Sequence, residues 1–141
     1  MKKFEVIEHT ADMGIKAYGK DLSELFTNAA YGMASLITDL EKVNPKDSED
    51  ISLEAENKEE LLVSWLNEII YLSASQSMLF SKFEVSRIDE KHLKAKIFGE
   101  ELDINRHQIE TEFKAATYHR LKISNSTLPE GVLQAEIIFD I

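Results

Sequence analysis

Between residues 22 and 40 the apolar side chains Leu22, Leu25, Phe26, Ala29, Met33, Leu36, Ile37 and Leu40 return at steps of three and four. With about 3.6 residues per turn, that spacing draws a single apolar stripe along a helix, so this segment has to fold as a long helix with one side against a core. Asp21 stands where a side-chain oxygen can cap the first turn, and Glu24 occupies the reciprocal capping-box position. Asn57 and Glu60 repeat the arrangement ahead of a second stripe, Leu61, Leu62, Trp65, Leu66, Ile69, Ile70 and Leu72. The two stripes predict helices over 21–40 and 58–76. Gly32, inside the first, costs about 1 kcal/mol against alanine.

The other segments alternate with period two, the spacing of strands. Residues 3–8 put Phe4 and Val6 on one face, and Met13, Ile15 and Ala17 alternate with Gly14, Lys16 and Tyr18. A polar loop with Pro45 precedes a third strand marked by Ile51, Leu53 and Ala55. "FEVSRIDEKHLKAKIFGEEL" reads as a strand pair about a turn near 89–91, and "DINRHQIETEF" as a loop or crossover. "KAATYHRLKIS" and "VLQAEIIFDI" are two more strands, joined through Pro129 and Gly131. Two early helices and mostly strands afterwards predict one α+β domain over residues 1–141. Each helix has one stripe, so both are expected on one face of a mostly antiparallel sheet, in two layers.

Composition removes several kinds of chemistry. Without cysteine there is no disulfide, no thiolate metal site and no cysteine nucleophile. No apolar run has the length of a signal peptide's core or the roughly 20 residues of a membrane span, so a cytoplasmic protein without membrane association is expected. Twenty-six Asp and Glu against sixteen Lys and Arg give a formal net charge of −10. Nucleic-acid affinity depends on cations that neutralise phosphates, so strong direct nucleic acid binding is not expected. A basic protein partner or a bound cation suits the charge better.

Familiar catalytic patterns are missing. The histidines, His9, His92, His107 and His119, form no HExxH-type pair, there is no phosphate-binding glycine loop, and no GxSxG. Strand alternation puts Lys114 and Tyr118 on one face and Thr117 and His119 on the other, so they do not act as one cluster without a bulge. The last strand is more informative. Leu133, Ala135, Ile137, Phe139 and Ile141 form one apolar set, which turns Asp140 away from the core face. If Ile141 is the natural terminus, its carboxylate lies beside Asp140. Such an oxygen-only pair suits a hard divalent cation, while a solvated, frayed end is the plainer alternative. Asp12 is similarly two-sided, since an Asp ahead of "MG" also makes an Asx-turn.

Taken in order, "EHTADMGIKAYGKDLSELFTNAAYGM", "WLNEIIYL", "KAATYH" and the final "DI" resemble the archease family over nearly the whole chain. The resemblance implies a small cytosolic α+β protein that is no enzyme itself but activates an RtcB-type RNA ligase in tRNA splicing. That ligase works by a manganese- and GTP-dependent route through a guanylylated histidine of its own, and the activator promotes guanylylation and multiple turnover. The resemblance also implies a divalent-cation site, of the Ca or Mg/Mn class, built from Asp12, Asp140 and Ile141. Met13 departs from the Ile or Leu expected in the opening motif, an apolar exchange that leaves such a site intact. His9, Lys114 and His119 are not implied as ligands, only as parts of a ligase-facing surface. The other hypotheses are a general chaperone-like binding module and a metal-dependent hydrolase. From charge alone, the purified chain is expected to bind naked tRNA weakly. Tight binding with a steep salt slope in a filter-binding titration contradicts that.

Overall fold

The computed structural model describes residues 2–8, 13–119, 121–126 and 131–141. The helices fall where the stripes put them. Helix α1 spans Leu22–Ile37 and α2 Lys58–Gln76, with Asp21 accepting the Glu24 N–H at 2.8 Å and Asn57 accepting the Glu60 N–H at 2.9 Å. Helix α1 stops short of residue 40 because residues 108–110 capture its end. The Thr38 hydroxyl donates to the Gln108 carbonyl (2.7 Å), and the Glu110 N–H donates to the Ile37 carbonyl (2.7 Å). Leu40 instead begins a short 3-10 helix, Leu40–Lys42. Helix α2 ends at Ser77 in the left-handed conformation (φ 53°), which turns the chain directly into a strand.

The strands are β1 (Phe4–Glu8), β2 (Met13–Gly19), β3 (Asp47–Glu54), β4 (Met78–Ile88), β5 (His92–Glu101), β6 (Ala115–Ala116), β7 (Ser124–Asn125) and β8 (Leu133–Asp140). All pairings are antiparallel, and the fold is α+β. The expected single sheet is in fact two. One runs β1-β2-β8-β6 with β7 also on β8, and the other runs β3-β5-β4. The expected strand over "KAATYHRLKIS" is only two short pieces, β6 and β7. Thr117 gives both its N–H (2.9 Å) and its hydroxyl (3.0 Å) to the Ile138 carbonyl, and a turn from Tyr118 to Leu121 then lifts the chain off the sheet. The predicted turn at 89–91 is present, with the Asp89 carboxylate accepting the N–H groups of Lys91 and His92. Of the β7–β8 connection, Pro129 lies outside the described residues and Gly131 has φ 81°.

A single stripe does not describe what α1 buries. Leu25, Phe26, Asn28, Ala29, Ala30, Gly32, Met33 and Ala34 are all buried, an arc covering most of the helix. Gly32 faces the first sheet, where a Cβ would meet Phe4 and Ile15 at 2.9 and 3.1 Å. Ala34 lines a small cavity with Ile69 and Ile70 of α2 and with Leu79 and Phe80 of the second sheet. Two residues are about 200° apart on a helix, so these are opposite sides of α1. Small residues on both let two sheets close over one helix. Both sheets therefore pack against α1. Trp65 of α2 fixes the centre. It is fully buried, donates its indole N–H to the Phe26 carbonyl (2.9 Å) and meets the Phe83 ring edge-on at 6.4 Å. Trp65→Phe is expected to cost about 1–3 kcal/mol, because an aromatic ring remains but the hydrogen bond to the Phe26 carbonyl is lost, and Trp65→Ala about 3–5 kcal/mol, both read from urea unfolding.

Candidate functional site

The end of the first sheet is set by the register of β2 on β8, in which Gly14 lies opposite Ile138 and Met13 opposite Phe139. Gly14 permits this closeness, since a Cβ there would sit 2.8 Å from the Ile137 carbonyl oxygen. Phe139 is fully buried and stacks on Phe113 with ring centroids 4.5 Å apart. The next residue on β8 must therefore face outward, and Asp140 is exposed as alternation predicts. Its main chain is tied to β6, opposite Ala115, and its carbonyl accepts the Lys114 N–H at 2.9 Å. Ile141 is half-exposed beside it. Asp12 and His9 lie outside the described residues.

The other candidates do not converge. Lys114, Tyr118 and His119 are exposed, and the strand meant to order them is broken after Ala116. His92 sits on the β4–β5 turn against Asp89 and Glu54. Among the described residues, no three carboxylate, imidazole or thiol groups gather as a metal centre. No helix among them is long and apolar enough to cross a membrane.

Two features were not anticipated from the sequence. The first is a groove of about 520 Å³ between the ends of α1 and α2, the start of β4 and the 102–114 segment. Ile37, Ile70, Met78, Leu102, Ile109 and Phe113 line it, and Ile141 stands at its Asp140 end. A signal was present. Ile109, Thr111 and Phe113 turn inward while Gln108, Glu110, Glu112 and Lys114 are exposed, a period-two pattern inside "DINRHQIETEF" and its next residue.

The second is a buried ionic cluster. Glu100, 2% exposed, receives the Arg106 guanidinium at 2.6 Å, the Asn44 N–H at 2.7 Å and the His107 ring at 3.1 Å. His107 Nδ1 accepts the Asp103 N–H (3.0 Å), which leaves the ring proton on Nε2 to be donated to Glu100 and the Lys42 carbonyl. The cluster fastens the 102–114 segment to the loop after α1. A buried carboxylate is tolerated because both of its oxygens are met, Oε1 by Arg106 and Oε2 by the Asn44 N–H and the His107 ring.

These features define a small α+β protein in which two helices pack against two antiparallel sheets, with an exposed carboxylate at a strand end beside an apolar groove. The chain belongs to the archease family: the family described as "Archease protein family (MTH1598/TM1083)" matches residues 4–141. Protein archease of Sulfurisphaera tokodaii is 46% identical over 127 residues, which cover 89% of this chain and 91% of the relative. Protein archease of Pyrococcus abyssi is 38% identical over 145 residues and the full length of both. The solution structure of protein 1598 from Methanobacterium thermoautotrophicum superposes with a TM-score of 0.84 at 35% identity, covering 100% of both chains. A crystal structure of an archease from Thermotoga maritima, described as a possible chaperone, shares the fold with a TM-score of 0.64 at 23% identity over 96% of this chain and 94% of its own.

The ionic cluster makes a pH-dependent prediction. The Arg106 guanidinium first, then the Asn44 N–H and the His107 ring, hold the Glu100 carboxyl at about 2, against an ordinary value of 4.5, while burial opposes them. A carboxyl with a lowered folded-state pKa contributes its stability in full above its unfolded value and loses it as pH falls toward the folded one. The stability difference between the parent and Glu100→Gln is therefore expected to shrink as pH drops from about 4.5 to about 2. Urea midpoints across that range check it.

Proposed function

We propose that this chain is a non-enzymatic activator of an RtcB-type RNA-splicing ligase in tRNA splicing, promoting the ligase's guanylylation and its multiple turnover. The observation that carries the reading is membership of the archease family over residues 4–141. Geometry supports the choice of working end. The register of Met13 on Phe139 brings the start of β2 to the end of β8, so the strand that follows Asp12 in sequence meets the strand that ends in Asp140.

A divalent cation of the Ca or Mg/Mn class would be held by the carboxylates of Asp12 and Asp140 and a main-chain oxygen of Ile141. The donors that are described fit such an ion: Asp140 is exposed and, with an Ile141 main-chain oxygen, offers only hard oxygen ligands. When bound, the ion would supply positive charge at an otherwise acidic tip. The chain's own contribution is to hold those oxygens still. The Phe139–Phe113 stack and the Lys114 N–H bond to the Asp140 carbonyl fix the backbone, and the Asp140 side chain is exposed.

With purified ligase, the chain at substoichiometric amounts is expected to raise multiple-turnover RNA ligation and to do nothing alone. Asp140→Ala should lose most of that enhancement, at least tenfold, while stability changes by no more than about 0.5 kcal/mol, the usual range for a surface position. Asp50→Ala, on the outer face of the second sheet with its side chain 86% exposed, should behave as the parent. An Asp140→Ala protein that activates fully sinks the reading, as does turnover of phosphoesters by the chain alone. Suppressed aggregation of unrelated clients at stoichiometric amounts, without faster ligation, would put a general binding module in its place.

A further inference from the structure

The segment that walls the groove has the properties of a strand with one side unpaired among the described residues. Its residues alternate, with Ile109, Thr111 and Phe113 inward and Glu110 and Glu112 outward. The Glu110 N–H is tied to Ile37 and the Lys114 N–H to Asp140. Between those ties, residues 111–113 make no main-chain hydrogen bond among the described residues. Further along the same course, the corresponding groups are closed off. The Asn67 side chain of α2 accepts the Ala116 N–H (2.7 Å) and donates to the Ala116 carbonyl (3.2 Å), as a neighbouring strand would. Protection of β6 therefore stops just where the groove begins, and open main-chain groups next to an apolar groove are a template for a further strand.

We propose that residues 109–113 are a docking edge for an extended segment of a partner protein, one that alternates apolar with basic side chains. Main-chain hydrogen bonds to residues 111–113 supply the pairing. The apolar residues of the incoming strand fill the groove against Ile70, Met78 and Leu102, and the basic ones face Glu110, Glu112 and, at the far end, Asp140. Charge complementarity selects this occupant. The exposed acids of the edge belong to a chain of net charge −10, so an acidic or neutral segment gains nothing from them. A helix would leave the main-chain groups of the edge unmet. The edge leads into the Asp140 end, so a partner held along it is presented to the acidic tip. The proposal deepens the activator reading and rests on it only for the partner's identity.

The edge is tested first without any ligase, using a synthetic eight-residue peptide that alternates Lys with Val and Ile, and the same peptide with Glu for Lys. The lysine peptide is expected to bind, to slow hydrogen exchange at the amides of Thr111 and Phe113, and to weaken with salt. Glu110→Lys/Glu112→Lys and, separately, Thr111→Pro are each expected to raise its Kd at least tenfold, the first by reversing charge and the second by removing an N–H. Equal binding of both peptides, a Kd untouched by the double variant, or slowed exchange confined to other surfaces overturns the proposal. So does protection of Thr111 and Phe113 that grows with protein concentration in the absence of peptide, which makes a second copy the occupant. In ligation assays the double variant should raise the half-saturating concentration severalfold and keep the maximal enhancement, whereas Asp140→Ala should lower the maximum. If the peptide results hold and Asp140→Ala activates fully, the docking edge stands and the activator mechanism fails.

Discussion

The Trp65 indole gives its N–H to the carbonyl of Phe26, a main-chain group inside α1, and sets its ring edge-on against Phe83 of β4. One side chain of α2 is thereby fixed to the other helix and to the second sheet at once. With both ends of the ring held and the whole side chain removed from water, α1 and α2 have one relative placement. The first sheet then closes over the far side of α1, where Gly32 lets Phe4 and Ile15 approach. Helix α1 buries opposite sides of itself, one against the first sheet and the other against α2 and the second sheet.

From that centre the rest follows by covering exposed ends. The last turn of α1 leaves carbonyls to be met, and the segment after β5 meets the Ile37 carbonyl and takes the Thr38 hydroxyl. The segment is itself held down by the Glu100, Arg106 and His107 cluster, an ionic fastening at the surface end of β5. Fastened at one end there and at the other by the Lys114 bond to Asp140, it stands away from α2 and leaves a groove. The same ties that complete the fold thus shape the surface that the acidic strand end shares.

Archease relatives align over 89–100% of the chain, and the fold is shared with protein 1598 of Methanobacterium thermoautotrophicum. Asp140 follows the Phe139–Phe113 stack, is tied through its carbonyl to the Lys114 N–H, and is turned outward.

Much of this is local and was legible in the chain. The caps at Asp21 and Asn57, the stripes behind them, the turn at 89–91 and the outward direction of Asp140 depend on residues a few positions apart, and period alone fixes them. Pairing depends on distant partners. Alternation says which face of a strand is apolar but not which strand lies beside it, so one expected sheet became two and the strand after Lys114 broke where Thr117 found the Ile138 carbonyl. The end of α1 at Ile37, the burial of Glu100 and the groove are of the same kind, since each is made by the 102–114 segment folding back onto elements far away in sequence. Asp12 is a third case. Its residue type fits a turn or a ligand equally, and only the family resemblance set it beside Asp140. The chain by itself determined its elements and the direction of its outermost carboxylate, because those are near-neighbour geometry. The tertiary structure alone decided the two sheets and the ionic fastening, because each requires hydrogen-bond partners that the chain brings together only when folded.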